Sequence, residues 1–129
     1  MRLNPDCIRD IVLSIEDITD IQTIWKYQKG NCDFPLLAPY SHTEIVYHVF
    51  QCSSAGLITS LNHYDDCESL TVTDLSPAGH QFLANIRSNN VWNKTKHICT
   101  KVGSTSLSAL MQISSGIILA LIKSELGII

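Results

Sequence analysis

Five histidines (42, 48, 63, 80 and 97) and five cysteines (7, 32, 52, 67 and 99) are the side chains of this 129-residue chain best suited to chemistry. His80 could act as a general base, and Cys52 or Cys99 as a nucleophile. Nucleophilic catalysis needs nucleophile, base and orienting acid within hydrogen-bond reach. No such grouping occurs along the chain. The histidines include no His-Glu-x-x-His pair and the cysteines no Cys-x-x-Cys pair, so a zinc ribbon or a thioredoxin-type site is not expected. The glycines are isolated and read as helix ends and turns, which leaves no phosphate-cradling loop. The residues therefore predict no enzyme: no catalytic residue, metal, cofactor or small-molecule substrate.

A second set suits binding. Glu44, Tyr47, His48 and Gln51 fall at i, i+3, i+4 and i+7, so on a helix they share one face, expected to point outward. Ser41, His42 and Thr43 precede them at the helix start. Glutamine can read adenine, and Ser, Thr and His can reach phosphates or bases. His63 and Tyr64 lie in the polar segment that follows. Lys94, Lys96 and Lys101 cluster with Arg87 and His97, and Lys94 and Lys101, seven apart, share a helix face. These twelve residues outside the Arg87–His97 pair are the candidate DNA- or partner-binding set.

The elements that must position them are well marked. Asn4 can cap a first helix, with Pro5 at its first position and Asp6 where the helix dipole favours an acid. Ile8, Ile11, Val12, Ile15 and Ile18 then recur at helical spacing. Residues 21–28 are rich in β-branched and aromatic side chains and predict a short strand. Gly30-Asn31, Pro35 and Pro39 mark a loop. A second helix follows Ser41 or Thr43, with Ile45, Val49 and Cys52 buried and Val46 and Phe50 beside them, and ends at Gly56. Residues 57–62 and 70–73 predict two strands, and Ser76-Pro77 opens a third helix. A fourth runs from Val91 to Gly103.

Charge constrains the partner. The formal net charge is −3, and residues 31–86 contain no Lys or Arg at all. Non-specific nucleic-acid binding runs on excess cations, so this balance disfavours it. Val102 to Ile122 carries no charge, but serines and Gln112 make its first half polar. A packed or oligomer-forming helix is preferred there over a membrane helix. Free thiols in a reducing cytoplasm account for the odd cysteine count. Met1 to Asn4 lead straight into the capped helix, so no secretory leader is expected.

Helix, Gly56-Leu57-Ile58, a two-stranded return and a helix opening on Ser76-Pro77-Ala78-Gly79-His80 together resemble winged-helix regulators. A more specific resemblance rests on Arg2-Leu3-Asn4-Pro5-Asp6 with Ile8-Arg9-Asp10-Ile11, on Glu44 to Val49, on Leu75 to Arg87, and on Val91-Trp92-Asn93-Lys94-Thr95-Lys96. Together these are similar to a small family frequent in bacteria, phages and prophages, known as a domain of unknown function (family 2513). The resemblance implies a fold and a phage or prophage setting, and brings no activity with it. The expectation is an α+β fold: a winged-helix-like core over residues 1–88 and a helical C-terminal extension over 89–129 that packs on it or pairs subunits as a homodimer. The expected function is non-enzymatic binding. DNA-binding regulation narrowly leads inhibition of a host protein, such as a bacterial defence nuclease.

Overall fold

A computed structural model describes residues 1–30 and 33–127; Asn31 and Cys32 of the expected loop lie outside the described residues. The fold is α+β, with five α-helices and small antiparallel sheets among the described residues. Helix α1 (Pro5–Ile18) starts as its sequence predicts: the Asn4 side chain accepts hydrogen bonds from the amides of Asp6 and Cys7. Its stripe of Ile8, Ile11, Val12 and Ile15 is fully buried.

Strand β1 (Trp25–Gln28) is shorter than the predicted 21–28. The Asp20 carboxylate accepts from the amides of Gln22 and Thr23, both at 2.7 Å. That local turn uses backbone donors a strand would need, so pairing begins at Trp25. Trp25 stacks on Phe34 at 5.2 Å, just ahead of a single 3₁₀ turn (Pro35–Leu37).

Helix α2 (His42–Ser54) is capped by Ser41, whose hydroxyl accepts from the Glu44 amide, and the chain leaves it through Gly56 at φ 76°. A hairpin follows. Its base pairs β2 (Ile58–Thr59) with β5 (Asp74–Leu75); its arms pair β3 (Asn62–Tyr64) with β4 (Ser69–Val72). The predicted 57–62 strand is thus divided into β2 and β3, because Ser60 sits in the left-handed region at φ 53° and interrupts the ladder, while the predicted 70–73 strand is β4, with β5 a further short strand after it. Strand β4 also pairs with β1, giving the sheet order β1-β4-β3. One sheet face carries Trp25, Tyr27, Leu70 and Val72 into the core; Lys26, Gln28, Thr71 and Tyr64 lie on the other.

Helix α3 (Pro77–Ile86) is capped by Ser76, whose hydroxyl accepts from the Gly79 amide and donates to the Gly56 carbonyl. The Leu57 carbonyl accepts from the Ser76 amide, which draws the first turn of α3 tightly against the chain just ahead of β2. Helix α4 (Asn89–Val102) ends at Gly103 in the left-handed conformation, and α5 (Leu107–Glu125) begins at the Ser106 cap. Trp92, Cys99, Leu107 and Leu110 join the same buried cluster as α1 and α2, so these C-terminal helices pack onto the preceding elements.

Gly79 has a role the sequence leaves open. A Cβ there would collide with the Leu57 carbonyl oxygen and stand 3.3 Å from the Leu75 side chain. The clash is with backbone, which cannot swing away. Gly79→Ala is therefore expected to destabilise the protein by about 1–3 kcal/mol, the usual cost of overpacking. A chemical-denaturation midpoint unchanged from wild type would refute this close approach.

Candidate binding surface

His48 does not lie on the outward face expected of it; it is completely buried. Its Nε2 accepts from the Asn4 amide at 2.7 Å. The proton therefore sits on Nδ1, which donates to the Glu44 carbonyl, also at 2.7 Å. The imidazole joins the start of α1 to the first turn of α2. Glu44 belongs to the same junction, since its carboxylate accepts from the Asn4 side-chain amide at 3.2 Å. His42 is half-buried and its Nδ1 lies 2.8 Å from the Tyr27 hydroxyl.

With Ile45, His48, Val49 and Cys52 buried, the opposite ridge of α2 carries Thr43, Tyr47, Phe50 and Ser54. Gln51 flanks it, half-buried. The outward face is thus rotated from the predicted one because a buried histidine counts as polar in a hydropathy pattern. Phe50, predicted beside the buried stripe, is only partly covered, and its ring lies 5.7 Å from that of His63 on β3. Its i+3 spacing from Tyr47 was the available signal. Ser41 and Thr43 are exposed at the start of the ridge.

The hairpin divides its two candidates. His63 pairs with the core-facing Leu70 and so points toward α2, whereas Tyr64 pairs with Ser69 and lies on the outer sheet face. Beyond them Asp65, Asp66 and Cys67 all adopt positive φ, from 53° to 67°. The tip projects exposed Asp65, Asp66 and Glu68.

Two members of the cationic cluster, Lys96 and Arg87, are committed to carboxylates. Lys96 pairs with Asp6 at 2.8 Å and lies over the Trp92 ring. The Trp92 indole donates to the same carboxylate oxygen at 2.9 Å, and Arg9 covers the ring at 5.9 Å. Arg87 contacts both carboxylate oxygens of Glu16 at 2.6 Å. Lys94, His97 and Lys101 remain exposed on α4, and no ion pair involves them among the described residues. The twelve candidates therefore form no single site: the α2 ridge with His63 is one surface, Tyr64 another, and the α4 lysines a third.

Partial burial tends to raise the Asp6 carboxyl, but hydrogen bonds from Lys96 and Trp92 outweigh it and hold the group below its ordinary value. Burial raises Asp10 above its ordinary value, against the opposing hydrogen bond from Tyr40. Burial also pushes the Cys7 and Cys52 thiols up to about 12, with nearby carboxylates adding to the rise at Cys7. Both thiols are protonated at neutral pH, which suits core packing and weakens them as nucleophiles. Cys99 is buried and shifted the same way. His80 is exposed, 3.6 Å from the Asp74 carboxylate.

Residues 2–106 match the family described as Hypothetical protein (DUF2513). The chain belongs to that family. It is also 31% identical over 120 residues to an uncharacterized protein of Haemophilus influenzae (strain Rd), covering 92% of this chain and 96% of the relative. No solved structure matches it. The DUF2513 match spans α1 to α4 and stops just before α5. Within it, the motif residues Asn4, Asp6, Arg9, His48, Gly79, Trp92 and Lys96 all serve the junctions between elements described above.

His48→Ala is expected to leave the Asn4 amide without its acceptor and to destabilise the fold by about 1–3 kcal/mol. Tyr47→Ala, one residue away, should cost clearly less, since Tyr47 is only half-buried. Equal losses in urea denaturation would contradict the assigned roles. The pH response follows from Asp6. A carboxyl depressed in the folded state stabilises fully above its unfolded value, near 3.8, and loses that contribution as pH falls through the lower folded value. Asp10, raised in the fold, acts in the opposite sense. Asp6→Asn should therefore destabilise at neutral pH, with the gap to wild type closing below pH ~4. A gap constant from pH 7 to pH 2 would contradict this.

Proposed function

We propose that this DUF2513 protein is a winged-helix-like module that recognises a protein partner through the α2 ridge of Thr43, Tyr47 and Phe50 with His63 of the hairpin. The chain order supports the winged-helix part: helix, strand, 3₁₀ turn, helix and hairpin, with β4 between β1 and β3. In winged-helix proteins the helix before the hairpin is the recognition element and the hairpin is the wing.

The observation that carries the choice of a protein is electrostatic. Residues 31–86, which contain both the ridge and the wing, have no Lys or Arg. The wing tip is acidic, and two of the four cations at positions 87–101 are already paired with carboxylates. DNA affinity depends on cations free to neutralise phosphates, so this surface would repel a duplex where the fold would otherwise present it. An uncharged aromatic ridge bordered by acids suits a protein surface with apolar pockets and a basic rim. With the phage and prophage setting that the family resemblance implies, a host protein that handles nucleic acid is the partner class that fits, and inhibition of a bacterial defence nuclease is one form this would take. The exposed Lys94, His97 and Lys101 favour the DNA reading as the alternative.

The purified full chain should give no mobility shift with duplex DNA at low salt and tens of micromolar protein. Affinity capture from its host should retain a partner that Tyr47→Ala/Phe50→Ala loses and Lys94→Glu/Lys101→Glu keeps. A salt-sensitive duplex shift, abolished by the lysine substitutions and unaffected by the ridge substitutions, would overturn the protein reading in favour of DNA.

A further inference from the structure

Helix α5 is held to the body by its first half only. Leu107, Leu110, Ser114 and Ile117 are buried, spaced so that they share one face. Leu121 continues that stripe and is already 49% exposed, as are Leu119 (52%), Ile122 (49%) and Leu126 (68%). The helix therefore runs past the elements that support it.

Its outer face has a regular pattern. Ser108, Gln112, Ser115, Leu119, Ile122 and Leu126 recur at alternating steps of four and three, the a/d spacing of a helix-pairing seam. The first three are small or polar and the last three bulky and apolar. Run antiparallel against a copy of itself, the seam sets Leu126 against Ser108, Ile122 against Gln112 and Leu119 against Ser115. Each large side chain meets a small or flexible one. Gln112 already donates to the Ser108 hydroxyl at 2.9 Å within its own helix, which meets part of its hydrogen-bonding need.

A groove of about 450 Å³ opens on the same face, between α3 and α5, with Phe82, Met111, Gln112 and Ser115 in its walls. In the antiparallel register this is where Ile122 of the other copy would enter. The groove lining and residues 102–122 carry no charge, so seating Ile122 in the groove buries no ion there; Lys123 and Glu125 follow it at the end of the helix.

We propose that α5 pairs with α5 of a second copy in this antiparallel, two-fold arrangement, the projecting end of each filling the α3–α5 groove of the other. Such an interface is isologous and closes on itself. It is also small: the seam and groove supply about a dozen residues a side, against the ~20–30 residues and ~800 Å² per partner of a standard complex. The dimer is accordingly a reversible one, with a dissociation constant on the order of 10 µM. A membrane is a poorer occupant. With α5 packed as far as Ile117, residues 118–126 reach only ~13 Å at 1.5 Å per residue. That is less than half of a ~30 Å hydrocarbon core.

Sedimentation of the full chain from about 1 to 200 µM, a range bracketing that affinity, should show a monomer–dimer equilibrium. Ile122→Asp should stay monomeric throughout with an unchanged thermal midpoint, since Ile122 is exposed in the single copy. Mixing the Ser115→Cys and Leu119→Cys variants under oxidation should cross-link the two different chains, and Ile122→Cys alone should cross-link poorly with itself. A wild-type monomer at the highest concentration, a dimer that survives Ile122→Asp, or efficient Ile122→Cys self-cross-linking would each overturn the proposal. So would a solution monomer that co-sediments with anionic phospholipid vesicles. None of these readouts depends on the α2 ridge.

Discussion

The hydrogen bond from the Asn4 amide to His48 is the contact on which the arrangement of the helices turns. The first amides of a helix have no partners within it. Here the Asn4 side chain satisfies two of them, and its own amide finds a buried imidazole on α2. Asp6, two positions on, accepts from Trp92 and Lys96 of α4. Arg9, one turn on, donates to the carbonyls of Ile86 and Arg87 at the end of α3 and to the Asn89 side chain at the start of α4. Three residues, Asn4 at the cap and Asp6 and Arg9 within α1, thus fix three other helices by directional bonds, where apolar burial alone would leave their rotation free. The rotation of α2 matters most, because burying His48 is what turns Tyr47 and Phe50 outward.

Local features of the fold are legible in the sequence because their causes are local. Asn4-Pro5-Asp6, Ser41 and Ser76-Pro77 each satisfy or remove helix-end donors within three residues, and each marks a helix start correctly. Features with distant causes are not. Lys96 and Arg87 read as a basic stripe until Asp6 and Glu16, 90 and 71 positions away, are placed beside them. His48 reads as surface because its partner lies 44 positions upstream. The strand over residues 21–28 is overdrawn for a different reason: a single Asp20 carboxylate competes for the amides of Gln22 and Thr23, and period-two alternation does not register that competition. Ser60 escapes for the same reason, since nothing in its side chain demands a positive φ.

The candidate surface was only half legible. Tyr47 is reached from spacing, Thr43 from its place at the helix start and His63 from the polar segment that follows, but Phe50 is hidden by its hydrophobicity and Tyr64 is placed with the others by proximity in sequence, although strand alternation sends it to the opposite face of the sheet. A motif-based reading fails here in an instructive way. Of the residues that carry the DUF2513 resemblance, Asn4, Asp6, Arg9, His48, Trp92 and Lys96 form one hydrogen-bonded network between helices, from the buried His48 to the exposed Asp6, and Gly79 permits a backbone approach. The motifs therefore specify how the helices meet, and Tyr47 is the motif residue that reaches the α2 ridge.

The distribution of charge then separates two kinds of surface. Where the chain has cations near α1, it answers them: Lys96 with Asp6, Arg87 with Glu16. Exposed pairs of this type add little stability, yet they cancel the field that would draw a phosphate backbone. The ridge of α2 and the outer face of α5 carry no charge to cancel. Uncharged surfaces give up long-range steering and gain from desolvation and fit at contact. An outline of helices and hairpin alone is a weaker guide to a partner than the sign and placement of those charges.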